Sequence, residues 1–439
     1  MEQNVVETTI QLPKIDRRRI PGPESIARYT LPNGIVVLVR ENFLSPSVVI
    51  SGYLPVGALA DPPQKSGMAN LTATALMRGT ETRSFREIFE SIESIGARLS
   101  ISSSTHTTSF QGKSLAEDLE VLLRLFGEVL RSPTFPEDEV ARLKGQILTA
   151  FKIRDQDTGA RAQMAFDEAL YADHPYSIQP DGYPETINPL TSMDIKDFHA
   201  SHYGPDSMVI SIVGAIKSDD ALRFVQDVFG DWSAEGQIRQ PELPPVPRPK
   251  AASKIEVSLE GKQQSDIVLG TVGPSRYDDD YLTAVLANNI LGRFGMYGRI
   301  GDSVRENAGL AYYSYSVITG GLGPGPWQVI AGVNPVNIDK AIELIQDEIR
   351  KITSRRVSSS ELLENQANFI GRLPMQLESN EGVAGALLSL ERYDLGMDYY
   401  QRYPDLIASI TREEIFTTAK RYLDADRLTI AIAGPDRGP

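Results

Sequence analysis

The cysteine and histidine content limits the chemistry open to this chain of 439 residues. There is no cysteine, so thiolate zinc sites and a cysteine nucleophile are excluded. Of the four histidines, only His199 and His202 have the spacing of paired metal ligands, and we interpret them as structural. His106 and Thr74 form a nucleophile system only with a third orienting group, which the sequence does not offer. The histidines therefore identify no active site.

A small polar patch interrupts the apolar stretch SGMANLTATALMRGT at residues 66–80. The stretch opens with Ser66, which can cap a helix, has apolar residues at helical spacing and closes on a glycine. Asn70 and Thr74 are four apart and share one face of the predicted helix, with Ala73 beside them. The patch carries no ionisable side chain.

Net charge and hydropathy exclude several classes of partner. The formal net charge is −14, which disfavours nucleic acid and attracts basic peptides at low salt, or simply keeps the protein soluble. The N-terminus has no basic leader followed by an apolar run, and no apolar stretch approaches the roughly 20 residues of a membrane helix. We therefore expect a soluble cytoplasmic protein with no nucleic-acid or membrane partner.

A proline-rich segment divides the chain. Residues 240–250 contain five prolines, a density that blocks helix and central strand and favours a stiff extended linker. We predict an N-terminal extension at 1–25, a first domain at 26–236, a linker at 237–252 and a second domain at 253–439.

The two halves resemble each other. A long amphipathic helix, a turn and a second charged helix are predicted at 116–148 and again at 337–370. Apolar strands ending in glycine at 207–216 and 427–436 each follow a helical stretch. Duplication explains three parallel features in one order. Runs of strands with clustered helices predict an α+β protein of two homologous domains, each a mainly antiparallel sheet with packed helices.

Motifs along nearly the whole chain, from about residue 27 to 436, occur in the order of a known family. They include YTLPNGIVVLV (29–39), PVGALADP (55–62), GMANLTATALMRGT (67–80) and GRIGDSVRENAGLAYYSYS (298–316). In this order the chain resembles the insulinase-like zinc peptidases, or inverzincins, of the pitrilysin and mitochondrial processing peptidase type. The resemblance implies that the two domains form a half-clamshell.

The resemblance gives the polar patch a meaning. Active members carry His-x-x-Glu-His on this helix, and the same register places Asn70, Ala73 and Thr74 here. The third ligand, a glutamate on another helix, corresponds to Ala150, and the adjacent Phe151 is no ligand either. An amide and a hydroxyl are weak donors for zinc, and without an acidic side chain at Ala73 there is no proton acceptor. The resemblance thus implies a degenerate site with no metal in this chain.

Arg305 and Tyr312 match an arginine and a tyrosine that family members place in the second half, seven residues apart. The implied roles are to hold a substrate carbonyl and to donate to the oxyanion of the tetrahedral intermediate. Without the resemblance, the pair reads as a structural arginine and a packed tyrosine. Gly309 is predicted to end the helix before the strand. Alternation then places Tyr312, Ser314 and Ser316 on one polar face, and Tyr313, Tyr315 and Val317 on the other. Tyr312 is expected to face a cavity.

A glycine-rich loop marks the non-catalytic subunit of the mitochondrial enzyme, and two segments compete for its position. Residues 319–332 lack the ending of a phosphate-binding loop and are predicted as a turn between strands that could line a substrate chamber. Residues 290–301 match that loop better, so both assignments stay open.

Together these features predict a non-catalytic subunit of a heterodimeric zinc peptidase, inactive alone. A homologous partner would keep His-x-x-Glu-His and hold the zinc, and the substrate would be an unfolded or leader peptide bound as an added strand. The alternative is a purely structural or peptide-binding scaffold subunit without catalytic contribution. A homodimer when the partner is absent remains open.

Overall fold

The computed structural model describes residues 11–233 and 235–436, apart from the side chains of residues 296 and 297. Residues 1–10 of the predicted N-terminal extension and 437–439 of the predicted second domain lie outside the described part. The strands are β1 Ala27–Thr30, β2 Val36–Glu41, β3 Ser47–Leu54, β4 Arg98–Ser103, β5 Thr108–Leu115, β6 Val209–Gly214, β7 Ser253–Ser258, β8 Ser265–Val272, β9 Ala311–Ile318, β10 Pro326–Val333 and β11 Thr429–Gly434.

Helices connect these strands in clusters. They are α1 Met68–Ala75, α2 Phe85–Ser94, α3 Leu119–Arg131, α4 Glu137–Arg154, α5 Thr158–Leu170, α6 Pro184–Ile187, α7 Ser192–His202, α8 Ser218–Phe229, α9 Tyr281–Gly292, α10 Phe294–Ile300, α11 Ile338–Ser354, α12 Ser359–Gln376, α13 Asn380–Arg392, α14 Tyr399–Ser409 and α15 Arg412–Tyr422. A π-helical segment at Gly301–Asn307 continues α10. In the described part of the chain, no helix is both long and apolar enough to cross a membrane.

The described strands form two sheets, of six and five strands, that share the same connectivity apart from the additional edge strand β1 of the first. The first has the order β1-β2-β6-β3-β5-β4 and the second β7-β11-β8-β10-β9. All neighbours are antiparallel except β2 with β6 and β11 with β7, which occupy equivalent places. The predicted pair of mainly antiparallel α/β domains is confirmed, and the shared strand order supports duplication.

Helices from both halves cover each sheet, so the central strands are buried on both faces. Strands β6, β8 and β11 are buried along their whole length, which explains their continuous apolar sequences. One face of the first sheet packs on helices of its own half, including α3 and α4. Its other face packs on α13 of the second half, through Leu387 and Leu390.

The second sheet is in turn covered by a helix of the first half, so the two halves exchange helices. Helix α5 of the first half packs Ala162 and Phe166 against Val268 of β8 and Ala431 of β11. The N-terminal segment also crosses over, since Leu12 and Ile15 pack on the core of the second half. The packing therefore joins the two halves through elements that each contributes to the other.

Candidate functional site: a helix without metal donors and an exposed tyrosine

Helix α1 is capped by a carboxylate from the preceding loop. The Asp61 carboxylate accepts hydrogen bonds from the backbone N–H of Gly67 (2.7 Å) and Ala69 (2.8 Å). Ser66, the predicted cap, instead donates its hydroxyl to the Pro63 carbonyl (3.2 Å). Burial raises the pKa of Asp61 to about 7, although the bonds from the helix N–H groups lower it. The capping prediction named the wrong residue.

Asn70 and Thr74 lie on one face of α1, as the spacing predicts, and each is engaged in local hydrogen bonds. The Asn70 side-chain nitrogen donates to Oδ1 of Asp181 (2.5 Å). The Thr74 hydroxyl donates to the Asn70 carbonyl one turn earlier (2.8 Å). Ala73 is 1% exposed and packs in the interior. No sequence pattern indicated Asp181 as a partner, since it follows Asn70 by more than a hundred residues.

The second element of the predicted zinc site is α4, which packs beside α1. Ala150 is exposed on this helix, whereas Phe151 is buried in the first core with the Arg154 guanidinium 4.2 Å from its ring centroid. Neither residue offers a donor atom.

The donor set of this region does not fit zinc. It consists of an amide, a hydroxyl and the Asp181 carboxylate, whereas catalytic zinc takes three imidazole or carboxylate ligands from the protein. Among residues 11–233 and 235–436, no cluster of three histidine, cysteine or acidic side chains could hold a metal ion.

Arg305 and Tyr312 lie in the second half, on either side of a sharp change in chain direction. Arg305 belongs to the π-helical segment Gly301–Asn307, and its side chain is about one-third exposed, with Nε 3.7 Å from Oε1 of Glu306. Gly309 follows with a φ of 64°, a left-handed conformation suited to a helix end. Tyr312 begins the alternation of β9, the edge strand, and is 67% exposed.

The alternation along β9 is confirmed, but its polar face is mostly covered. Ser314 and Ser316 are fully buried. The Ser316 hydroxyl donates to the Asn288 carbonyl of α9 (3.2 Å), and a Cβ at Gly292 would lie 2.4 Å from that hydroxyl. The serines are small because α9 packs closely on this face. Tyr312 projects beyond the cover, into solvent.

The opposite face of β9 takes part in a buried polar group that the sequence did not indicate. Asp266 of β8 is almost fully buried and accepts hydrogen bonds from Thr158 of α5 (2.5 Å) and from the Tyr313 hydroxyl. Burial and the bond to Asp266 raise the pKa of Tyr313. Because Thr158 belongs to the first half, this group joins the two halves beneath the second sheet.

All four histidines make structural contacts. His106 lies 2.7 Å from the Tyr176 hydroxyl, and the other three approach the backbone carbonyls of Pro244 (from His174), Leu130 (from His199) and Phe198 (from His202). Burial lowers the pKa of His106 to about 4. Because His106 and Thr74 have separate partners, they do not form a nucleophile pair.

The two glycine-rich segments adopt different structures. Residues 319–325 form the turn between β9 and β10, whereas residues 326–332 of the predicted turn 319–332 belong to strand β10. Residues 290–301 are mainly helical and include α10, with glycines at positive φ at positions 295 and 298.

Comparison with known proteins assigns the family. Residues 36–179 match the family described as Insulinase (Peptidase family M16), and residues 189–369 match the Peptidase M16 inactive domain. The chain belongs to the M16 (insulinase) peptidase family, with both its N-terminal and C-terminal domains.

Particular relatives agree with this assignment. The uncharacterized zinc protease YmxG of Bacillus subtilis is 27% identical over 81% of this chain and 85% of its own length. An uncharacterized zinc protease of Streptomyces coelicolor is 24% identical over 94% of this chain and 90% of its own.

Solved structures show the same fold. A peptidase M16 inactive domain from Pseudomonas fluorescens superposes with a TM-score of 0.86 at 27% identity, covering 94% of this chain and 98% of that one. A protease from Helicobacter pylori superposes with a TM-score of 0.86 at 20% identity, covering 95% of this chain and 100% of that one. At this identity the likeness supports the fold alone.

Proposed function

We propose that this chain is the non-catalytic subunit of a cytoplasmic, heterodimeric M16 zinc endopeptidase. A homologous partner would carry the zinc and the general base, and this chain would contribute Arg305 and Tyr312. The observation that carries the proposal is the contrast between the two regions. The α1–α4 region offers no donor set for zinc, whereas the Tyr312 phenol is exposed and the Arg305 side chain is partly so.

The proposed roles follow from the chemistry of the two side chains. A guanidinium donates in a fixed fork and can hold a peptide carbonyl, while a phenol can donate to the oxyanion that forms on that carbonyl. The Tyr312 hydroxyl is free to do so because it has no hydrogen-bond partner in the described part of the chain. The Asp266 carboxylate accepts from Tyr313, the neighbour on the other face.

An extended peptide is the substrate that the sheets suit best. Strand β4 is the edge of the first sheet, with an unpaired side, and it packs beside α1. An edge strand can accept a peptide as an additional strand through main-chain hydrogen bonds. The proposed substrate is therefore an unfolded or leader peptide, and the net charge of −14 favours basic ones at low salt.

The test is turnover of a quenched peptide by this chain mixed with a homologous chain that carries His-x-x-Glu-His. We expect Arg305→Ala or Tyr312→Phe to lower kcat by about 10²- to 10³-fold without preventing assembly, since each removes a transition-state donor. Tyr277→Phe, at another exposed tyrosine, is the matched control and should retain turnover.

Unchanged turnover in the Arg305 and Tyr312 variants would refute the catalytic contribution. If the partner still needed this chain for activity, the result would favour the alternative, a structural or peptide-binding scaffold. Size-exclusion chromatography of the chain alone would show whether it forms a homodimer.

A further inference from the structure

A basic cavity of about 830 Å³ lies in the second half, beside the π-helical segment that carries Arg305. It is bordered by the π-helical segment, α11 and the beginnings of α12 and α15. Its cationic side chains are Arg299, Lys340, Lys351, Arg355, Arg356 and Arg412. Three acidic side chains among the described residues line it, so the lining has a formal excess of three positive charges within a chain whose net charge is −14. Arg356 and Lys340 are paired with Glu413 and Glu343, two carboxylates outside the lining.

Part of this positive charge is neutralised inside the cavity wall. Glu361 accepts from Nε and Nη2 of Arg299 (2.8 and 2.9 Å), and Glu348 accepts from Lys351 (2.6 Å). Burial raises the pKa of Glu361, but the bonds from Arg299 and Ser358 outweigh burial and lower it to about 2. The remaining nitrogen of Arg299, Nη1, is buried and has no hydrogen-bond partner among the described residues.

Unlike Arg299 and Lys351, the lining residues Arg355 and Arg412 have no carboxylate within ion-pair distance in the described part of the chain. Arg412 is held in place because its Nε donates to the Val357 carbonyl (2.6 Å) and its Nη1 to the Ser359 hydroxyl (3.2 Å). Arg355 is exposed and makes no ion pair. One guanidinium is thus fixed at the cavity wall and the other can adapt to a ligand.

We propose that this cavity binds a small multivalent oxyanion, carrying phosphate or carboxylate groups, between Arg355 and Arg412. Guanidinium forks bind both kinds of group through paired, charge-assisted hydrogen bonds. The volume lies within the range of about 300–1,000 Å³ that is typical of small-molecule sites, which favours a compact ligand over a folded partner. This inference does not depend on the proposed function.

Isothermal titration calorimetry of the purified chain at 0.15 M NaCl tests the proposal, with pyrophosphate and citrate as separate probes. We expect one equivalent of at least one probe to bind. The probe that binds more tightly shows whether the cavity prefers phosphate or carboxylate groups. Arg355→Gln together with Arg412→Gln should weaken that binding by at least about tenfold, since two charge-assisted contacts are lost. Arg124→Gln, at a paired surface arginine on α3, is the control and should bind as the original does.

Three outcomes would overturn the proposal. These are no saturable binding of either probe, equal binding by the double variant, or binding of a tetra-aspartate peptide without either small anion. Arg412→Gln also removes the bonds to the Val357 carbonyl and the Ser359 hydroxyl, so a lowered unfolding temperature would make the double variant ambiguous. Arg355→Gln alone then decides, because Arg355 makes no ion pair that the substitution could break.

Discussion

Leu387 provides a direct test of whether the exchanged helices make the two halves one cooperative unit. It lies on α13 in the second half of the chain, yet it is fully buried against the first sheet with Leu38 and Val213. Leu387→Ala removes three buried carbon atoms where the sheet cannot close the gap. Substitutions of this kind destabilise by roughly 3–5 kcal/mol. The free energy of unfolding of a folded domain is about 5–15 kcal/mol, so this loss is a large share of it.

The chain has two tryptophans, one in each half, which makes the effect measurable. Trp327 is buried in the second core, and Trp232 packs on the first core beside Phe229. Urea unfolding followed by fluorescence, in backgrounds with Trp232→Phe or Trp327→Phe, reports each half separately. For a loss of roughly 4 kcal/mol and an unfolding slope of about 4 kcal/mol per M, both midpoints should fall by about 1 M.

The control is Leu44→Ala, the same truncation at a side chain that is 97% exposed, which should leave both midpoints within error. If the urea midpoint reported by Trp327 fell and the one reported by Trp232 did not, the reasoning would be refuted, since α13 would then not stabilise the first sheet. Midpoints that Leu387→Ala leaves unchanged in both backgrounds would also refute it.

Three other predictions concern the cap of α1, the buried Asp167 of α5 and the zinc content of the chain. Asp61→Ala removes the cap of α1 and should lower the free energy of unfolding by about 1–2 kcal/mol in urea titrations, and no loss would show that the cap does not stabilise the helix. Burial raises the pKa of Asp167 to about 7, so the folded state keeps a proton that the unfolded state loses near pH 4. This contribution to stability is present below about pH 4 and is lost as the pH rises through about 7, and Asp167→Asn should flatten that part of the melting-temperature profile. Identical melting-temperature profiles for Asp167→Asn and the original chain would contradict this prediction. After dialysis against zinc, mass spectrometry should find far less than one zinc per chain, and a stoichiometric ion at Asn70 and Thr74 would refute the assignment of donors.

Features that depend on local pattern could be predicted from the sequence. The amphipathic periods of α3 and α11, and the turn after each, gave the paired helices that the structure contains. The exchange of α5 and α13 could not be predicted. Their apolar stripes indicate that each helix is buried, but the sheet that buries it is chosen by contacts with residues far away in the chain.

In the candidate site too, only the features that depend on local spacing could be predicted. Helix register placed Asn70 and Thr74 on one face, because that depends only on their spacing. Asp61 as the cap of α1 and Asp181 as the partner of Asn70 were both missed, since a loop positions the first and a distant segment the second. Strand alternation correctly separated Tyr312 from Tyr313, but it cannot tell which face a helix will cover.

The hydrogen bonds of α1 explain how the fold persists without the metal donors of the family. Thr74 bonds within its own helix, Asn70 reaches Asp181, and Asp61 caps the helix, so α1 has its own stabilising contacts. Tyr312 differs, because its hydroxyl has no partner among the described residues and its ring is mostly in solvent. Tyr312→Phe should therefore leave the stability of the isolated chain unchanged, and a loss of turnover in the assembled pair would be an effect on the reaction itself.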